Sequence, residues 1–407
     1  MGLCCSRSIY QVYQLPDEST PGFGPDPRRY TDWDSVEVAL AKHDAILLKG
    51  KWLMEWSEKH EPLPRRQSLP EGSTWAPQEL MPLLRAGSVE PVAISYCWLT
   101  PEHPDPKGEQ ASLIALAVKV RLQAERDEAV DDLAIFFDWC SLYQKERTPA
   151  QGESFDRALK DVNLWYAHQL VSVWMLTEIP EGWTGVKCYT ERGWPSFEYG
   201  VSTMITPSWR VIDISLLRSP PESWTHDSRN TIQWQSDVSG YHDGSGGKCK
   251  ARRPAPLMPQ QFADLLATKT FTNNADHSFV AKKYKTTFDE VISCAQSLDF
   301  AGLGWGDMEF VQLSECLCLC SQCRSLNLSS NKDGGADGIN AIMKALGASS
   351  TISAFSLKWG DLGSEAGIVI AEALESNSTL TSVDLTRNKF EIEAGIAFAK
   401  ALETNSS

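Results

Sequence analysis

Three short motifs bring carboxylates together with aromatic and other polar side chains. Their candidate site residues are Ser95, Tyr96, Trp98, Asp138, Trp139, Gln144, Arg192, Trp194 and Glu198. Trp194 and Glu198 are four residues apart, a spacing that puts both on one face of a helix. A carboxylate there could stabilise positive charge on a ribose, as carboxylates do in glycoside hydrolysis. The structural alternative for Glu198 is an ion pair with Arg192 or a capping role near the helix start.

Each motif belongs to a pattern of alternating strands and helices. Apolar runs predict strands at 91–99, 132–139, 170–177 and 209–217. Helices are predicted at 108–128, 154–168 and 193–205, with Ser154 as an N-cap. Strands that alternate with helices predict a parallel sheet covered on both faces. Because ligands of such sheets bind at the carboxyl ends of the strands, we expect the three motifs to converge there. The alternative for Asp138 is a structural hydrogen bond at a strand end, and for the tryptophans a place in the core.

The segments around this sheet differ in composition. Residues 1–33 are rich in Pro and Gly and predict a flexible tether. In 34–85, an apolar stripe predicts one helix that is followed by a proline-rich linker. The remaining boundaries are a sheet domain at 86–218, a disordered insertion at 219–256 and a helical connector at 257–297.

The last part of the chain, 298–407, contains a repeat. Strand-like starts at Leu298, Leu326, Phe355 and Val383 lie 28, 29 and 28 residues apart, and each leads into a helix. A period of this length is typical of a solenoid. It resembles the ribonuclease-inhibitor type of leucine-rich repeat, which implies that a protein partner binds on the strand face.

The order of the three chemical motifs resembles a known domain. "ISYCW" around Ser95, "FFDWCSLYQKE" around Asp138 and "RGWPSFE" ending at Glu198 follow one another as in the fungal heterokaryon-incompatibility (HET) domain. The resemblance covers 91–218 and departs from the family at Leu99, where HET domains often have Gly. HET domains are similar in fold to TIR domains. The resemblance therefore implies an α/β fold, a parallel sheet with helices on both faces.

The resemblance leaves three functions open. As an effector in signalling or defence, the HET/TIR-like domain would act by assembly into a homo-oligomer. TIR enzymes that hydrolyse NAD⁺ use a Glu four residues after a Trp, which implies that Glu198 could make this domain an NAD⁺ glycohydrolase. Aromatic side chains such as Tyr96 would then stack on the bases of NAD⁺, the substrate. The third function is a non-catalytic scaffold. No cofactor is predicted to be required.

Bulk composition narrows the function classes. The 407 residues carry a formal net charge of −15 and have a pI of about 5.0, which argues against nucleic-acid binding. The 11 cysteines are scattered without a disulfide framework, so reduced thiols are expected. Four cysteines at 316, 318, 320 and 323 lack a second group of ligands, and no metal site is predicted.

The first six residues predict a lipid anchor. Met-Gly-Leu-Cys-Cys-Ser matches the N-myristoylation pattern on Gly2, and Cys4 and Cys5 are palmitoylation candidates beside it. One myristoyl chain binds membranes only marginally, so a second acyl chain strengthens the anchor. These residues predict a signalling or defence protein that is lipid-anchored on the cytoplasmic face of a membrane.

Overall fold

The computed structural model describes residues 26–123, 130–217, 249 and 251–405. Gly2, Cys4 and Cys5 lie outside the described residues, as does most of the predicted insertion. The described chain forms two sheets of mainly parallel strands, each accompanied by helices, so the predicted α/β class is confirmed. Among the described residues, no helix combines the length and the apolar character that crossing a membrane requires.

The first sheet has five strands and carries the chemical motifs. Its strands are β1 (Leu48–Lys49), β2 (Val89–Ser95), β3 (Asp132–Phe136), β4 (Ser172–Met175) and β5 (Val211–Asp213). Their spatial order is β1-β3-β2-β4-β5, and all neighbours are parallel except β1, which pairs with β3 antiparallel. The central strand β2 therefore has β3 on one side and β4 on the other.

Helices cover both faces of this sheet. They are α1 (Trp33–Ala41), α2 (Gly50–Ser57), α3 (Pro77–Ala86), α4 (Glu109–Leu122), α5 (Asp138–Ser141), α6 (Pro149–Lys160), α7 (Val162–Ala167) and α8 (Gly193–Ser202). Successive strand residues face opposite layers. Val92 and Ile94 of β2 pack in the core with α2 and α4, whereas Ala93 packs in the core with α7 and α8. Ser95 points to the same side of the sheet as Ala93 and faces α8.

The single helix predicted in 34–85 is wrong. After α1, His43 has a backbone φ of 54°, in the left-handed region through which a helix does not continue. Leu47 and Leu48 are buried in opposite cores of the sheet, an alternation that suits a strand and not one face of a helix. β1 therefore forms an edge of the sheet, and 34–85 packs as part of the sheet unit.

The N-cap predicted at Ser154 is also wrong. α6 begins one turn earlier, because Thr148 caps it. The Thr148 Oγ1 accepts from the Gln151 amide at 3.3 Å, and the Gln151 side chain accepts from the Thr148 amide at 3.0 Å. This reciprocal pair is a capping box. Ser154 lies inside the helix, where its hydroxyl donates to the buried Asp44 carboxylate at 2.8 Å.

Residues 251–256, at the end of the predicted disordered insertion, are packed inside the protein. Arg253 is 3% exposed and Ala255 is 5% exposed. The Ala251 amide donates to the Val211 carbonyl at 3.1 Å, so the segment begins beside β5. The prediction of disorder is wrong here because backbone carbonyls replace water around Arg253.

The second sheet belongs to the repeated part of the chain. Its strands are β6 (Ser297–Asp299), β7 (Ser325–Asn327), β8 (Ala354–Ser356) and β9 (Ser382–Asp384), parallel and in this order. The register aligns Leu298, Leu326, Phe355 and Val383, the positions that repeat in the sequence. The helices that follow the strands are Asp307–Leu317, Ala336–Ala348, Ser364–Ser376 and Ile392–Thr404. The predicted helical connector contains Pro259–Ala267 and Asp276–Cys294.

Two asparagines fix the turns between these strands and helices. The Asn331 side chain donates to the carbonyl of Leu328 in its own repeat and to that of Phe300 in the preceding repeat. Asn388 makes the equivalent contacts two repeats later. Each asparagine ties one repeat to the one before it, which explains why "LNLSSN" returns in the sequence as "VDLTRN".

Candidate functional site at the carboxyl ends of the strands

The candidate site lies where β2 ends. Along the chain, β3 is added on one side of β2 and β4 on the other, so the connections diverge at this point. In open α/β sheets, ligands bind at such a switch point, outside the carboxyl ends of the strands. Ser95, the last residue of β2, pairs with Met175, the last residue of β4. The three chemical motifs meet at this edge through the hydrogen bonds described next.

A hydrogen-bonded chain joins Tyr189, Ser95 and Glu198. The Ser95 Oγ donates to the Glu198 Oε2 at 2.5 Å, and the Tyr189 hydroxyl lies 2.5 Å from the same Oγ. Because Ser95 has one hydroxyl hydrogen, Tyr189 is the donor in the second bond. Ser95 and Tyr189 are buried, whereas Glu198, on the second turn of α8, is partly exposed. The carboxyl therefore accepts a hydrogen bond from the Ser95 hydroxyl, which itself accepts one from the Tyr189 hydroxyl.

The Glu198 carboxyl has an unusual affinity for its proton. Burial, with a smaller contribution from the Asp138 carboxylate, raises its pKa to about 8, against opposing hydrogen bonds from Ser95 and Tyr166. Burial also raises the pKa of Tyr189 well above its usual range, so that hydroxyl stays a neutral donor. At pH 7 the Glu198 carboxyl keeps its proton. It can donate this proton to a bound molecule, or release it when a cation binds nearby.

A second carboxyl, that of Asp138, is bound by Tyr96, the residue that follows Ser95. The Tyr96 hydroxyl donates to the Asp138 Oδ1, and the Trp98 indole nitrogen donates to the Oδ2 at 3.2 Å. The Trp139 amide donates to the Oδ1 at 2.6 Å. Burial raises the pKa of Asp138, and these three hydrogen bonds oppose the shift. Asp138 and Glu198 are thus two partly buried carboxyls with pKa values displaced in the same direction, an arrangement common in functional clefts.

Arg192 lies beside this pair and does not form the ion pair that was the structural alternative for Glu198. Its Nη2 donates to the Trp98 carbonyl at 3.3 Å, and its buried Nε has no hydrogen-bond partner within the described chain. Glu198 does not cap the helix either, since it lies one turn beyond the start of α8. The site therefore contains a guanidinium and two carboxyls, and the two carboxyls are hydrogen-bonded to different residues.

Three residues predicted for the pocket instead support the structure around it. The Trp139 indole is buried and donates to the Leu63 carbonyl at 2.8 Å. Gln144 donates to the backbone carbonyls of Asp138 and Leu142. Trp194 turns to the neighbouring helix, where its indole donates to Asp276 at 3.0 Å. In this structure tertiary contacts decide which way each of these side chains points, and their roles as ligand-facing residues stay predictions.

Two tyrosines of the site were missed from the sequence. Tyr189 lies just before the Arg192 motif, and Tyr166 lies in α7. The Tyr166 hydroxyl donates to the carbonyl of Ile94 at 3.1 Å, next to Ser95. Tyr166 stands among apolar residues, so the sequence marks it as a core residue, whereas Tyr189 stands among polar residues with no signal of a role in the site. Only the folded structure brings the Tyr189 hydroxyl to Ser95 and the Tyr166 hydroxyl to the end of β2.

Within the described chain, no group of three or more His, Cys, Asp or Glu side chains is placed to hold a metal ion. Burial raises the pKa values of the thiols of Cys316, Cys320 and Cys323. Raised thiol pKa values disfavour the thiolate form that binds metals. These cysteines pack in the core that joins the repeats to the connector helices.

Comparison with known proteins gives partial structural similarity only. No family model and no curated protein matches this chain. It is similar to the actin-binding site 2 of leiomodin-1, with a TM-score of 0.26 and 19% identity over 27% of this chain and 65% of that one. It is also similar to the tropomodulin C-terminal domain of Caenorhabditis elegans, with a TM-score of 0.23 and 23% identity over 30% of this chain and 75% of that one. The chain thus spans just under two thirds of the leiomodin-1 structure. The HET/TIR resemblance stays a prediction.

Proposed function

We propose that this protein is an intracellular signalling or defence protein with two working parts. The strand–helix repeats form a leucine-rich-repeat solenoid that binds a protein partner, and the HET/TIR-like sheet unit is the effector, acting by assembly. N-terminal acylation holds the protein on the cytoplasmic face of a membrane. The observation that carries the proposal is the open strand face of the repeats.

That strand face is polar and accessible. The residues on either side of the central position of each strand point outwards, as Ser297 and Asp299 do on β6. In the turns beyond the strands, Trp359 is 53% exposed and the Arg387 guanidinium lies 5.2 Å from its ring centroid. Tryptophan and arginine are the residue types most enriched at the energetic centres of protein interfaces. The face thus offers an aromatic anchor within a polar surface.

The test is site-specific photo-crosslinking in cells that contain the membrane-bound protein. A photoreactive residue in place of Trp359 is expected to crosslink a partner. The same residue in place of Lys344, which is exposed on the helix Ala336–Ala348, is the matched control and is expected to give none. Crosslinks from position 344 with none from 359 would contradict the strand face as the binding surface.

Gly2→Ala is expected to move the protein from the membrane fraction to the soluble fraction, because myristoylation requires an N-terminal glycine. Replacing Cys4 and Cys5 with Ser should leave weak, reversible binding, since one acyl chain anchors only marginally. Cell fractionation measures both results. If the Gly2→Ala protein still sediments with membranes, acylation is not the anchor.

A second candidate function is hydrolysis of NAD⁺, and the Ser95–Glu198 pair favours it. Cleavage of the bond between the ribose C1′ and the nicotinamide nitrogen releases neutral nicotinamide and leaves positive charge on C1′. Water then attacks C1′ and loses a proton, which gives ADP-ribose. The cationic nicotinamide ring of bound NAD⁺ would lower the pKa of Glu198, and the resulting carboxylate would stabilise the ribosyl cation. The test is nicotinamide release by the full chain. Absence of release from folded, membrane-clustered protein supports the non-catalytic scaffold.

A further inference from the structure

Arg253 lies between the two sheet units and contacts both. Its Nε and Nη2 donate to the carbonyls of Thr203 and Met204 at 2.7 and 2.9 Å. Its Nη1 donates to the carbonyl of Asp299, at the end of β6, at 2.8 Å. Thr203 is the C-cap of α8, so one guanidinium joins the end of the Glu198 helix to the first strand of the repeats.

The first repeat encloses this guanidinium. It lies 4.6 Å from the centroid of the Phe300 ring, which in turn stacks on Trp305. The Trp305 indole donates to the Arg253 carbonyl at 2.7 Å. Arg253 is buried, and burial lowers its pKa to about 10, which still leaves it charged at pH 7. In these contacts the buried cation is held by three backbone carbonyls and the Phe300 ring, so its position depends on both units together.

We propose that Arg253 couples the repeats to the candidate site by fixing the carboxyl end of α8, so that a displacement of the first repeat repositions Glu198. Thr203, the C-cap of α8, lies five residues beyond Glu198, about 7.5 Å along the helix axis at 1.5 Å per residue. The helix is rigid over this distance. Close packing at Gly200, where an added Cβ would lie 3.1 Å from the Phe262 ring, leaves α8 little room to move independently. This coupling does not depend on whether the site cleaves NAD⁺.

The predicted consequence is that loosening Arg253 admits water to Glu198 and lowers its pKa. The experiment follows the infrared band of the protonated Glu198 carboxyl against pH in the full chain, with the band assigned by its loss in Glu198→Gln. This assignment excludes Asp138, the other carboxyl of the site. Arg253→Lys keeps the charge but offers one nitrogen in place of the three that each bind a different carbonyl. Its titration midpoint is expected to fall by about one pH unit, a tenfold change in proton affinity.

The neighbouring Arg252 provides the matched control. Its side chain is 75% exposed and pairs with Glu309 on the first repeat, without reaching the end of α8. Arg252→Ala should leave the midpoint unchanged. A folded Arg253→Lys protein that titrates like the wild type overturns the proposal. If Arg253→Lys does not fold, Trp305→Phe decides, because it removes the hydrogen bond to the Arg253 carbonyl and keeps an aromatic ring beside Phe300. A smaller shift in the same direction supports the coupling, and an unchanged midpoint overturns it.

Discussion

Nicotinamide release is expected to fall by at least about 100-fold in Glu198→Gln, the range in which loss of one acid–base group usually lies. The amide keeps the volume of the side chain and an oxygen that accepts from the Ser95 Oγ. It can neither give a proton nor carry the negative charge that the ribosyl cation requires. The measurement is the release of nicotinamide from NAD⁺ by the full chain, with the wild type and the variant at equal concentration.

Ser196→Ala is the matched control for this result. Ser196 lies on the same helix, where its hydroxyl donates to the Arg192 carbonyl at 2.7 Å, and it does not contact the carboxyl. We expect it to keep the wild-type rate. Equal rates for folded wild type and Glu198→Gln would remove Glu198 from any catalytic role, even if the protein cleaves NAD⁺.

Gly193→Ala is expected to destabilise the sheet unit strongly, by at least about 1–3 kcal/mol, the usual cost of overpacking a core. A Cβ at this position would lie 2.0 Å from the Cζ of Phe271. The Phe271 ring cannot retreat easily, since it is buried and the adjacent backbone is hydrogen-bonded to this site: the Gly193 amide donates to the Thr270 carbonyl at 3.1 Å. Denaturant unfolding measures the loss.

A double-mutant cycle shows whether this contact is the cause. Phe271→Leu makes space beside Gly193, so the Ala substitution should cost much less in that background. Gly152→Ala, in α6, is the control glycine because nothing lies within 4 Å of its added Cβ. If Gly193→Ala costs no more than Gly152→Ala, the close approach of Phe271 to the start of α8 is wrong.

The strand pattern and the repeat spacing could be predicted because they depend on local periodicity. The four apolar runs of the first sheet and the aligned positions from Leu298 to Val383 are visible in the sequence itself. The meeting of Ser95 and Glu198 also follows from a general property, since carboxyl ends of parallel strands share one edge. The motifs do not indicate which residue each side chain contacts.

The missed features depend on contacts between distant segments. β1 has two residues and exists only because it pairs with β3. Arg253 stands in a basic, glycine-rich stretch that resembles a solvated loop, yet three carbonyls from two units hold it. Nothing in the sequence around Tyr189 indicates its partner, the Ser95 Oγ, which the fold places 2.5 Å from its hydroxyl. Local patterns carry no information on such pairings.

The central claim is that Glu198 is a partly buried carboxyl that keeps its proton at neutral pH. Its pKa is about 8 in the folded protein, against an ordinary value of 4.5. Between these values the folded state binds more protons than the unfolded state, so stability falls as the pH rises. Glutamine at this position does not titrate and removes this contribution alone.

The measurement is therefore the free energy of unfolding of wild type and Glu198→Gln from pH 5 to pH 9. The account predicts that the wild type loses stability relative to the variant as the pH rises through about 8, by an amount on the order of a few kcal/mol. The Gln protein should be the more stable of the two at pH 9. Parallel curves across the whole range would contradict the account, because they would mean that Glu198 titrates in the folded protein as it does in the unfolded chain.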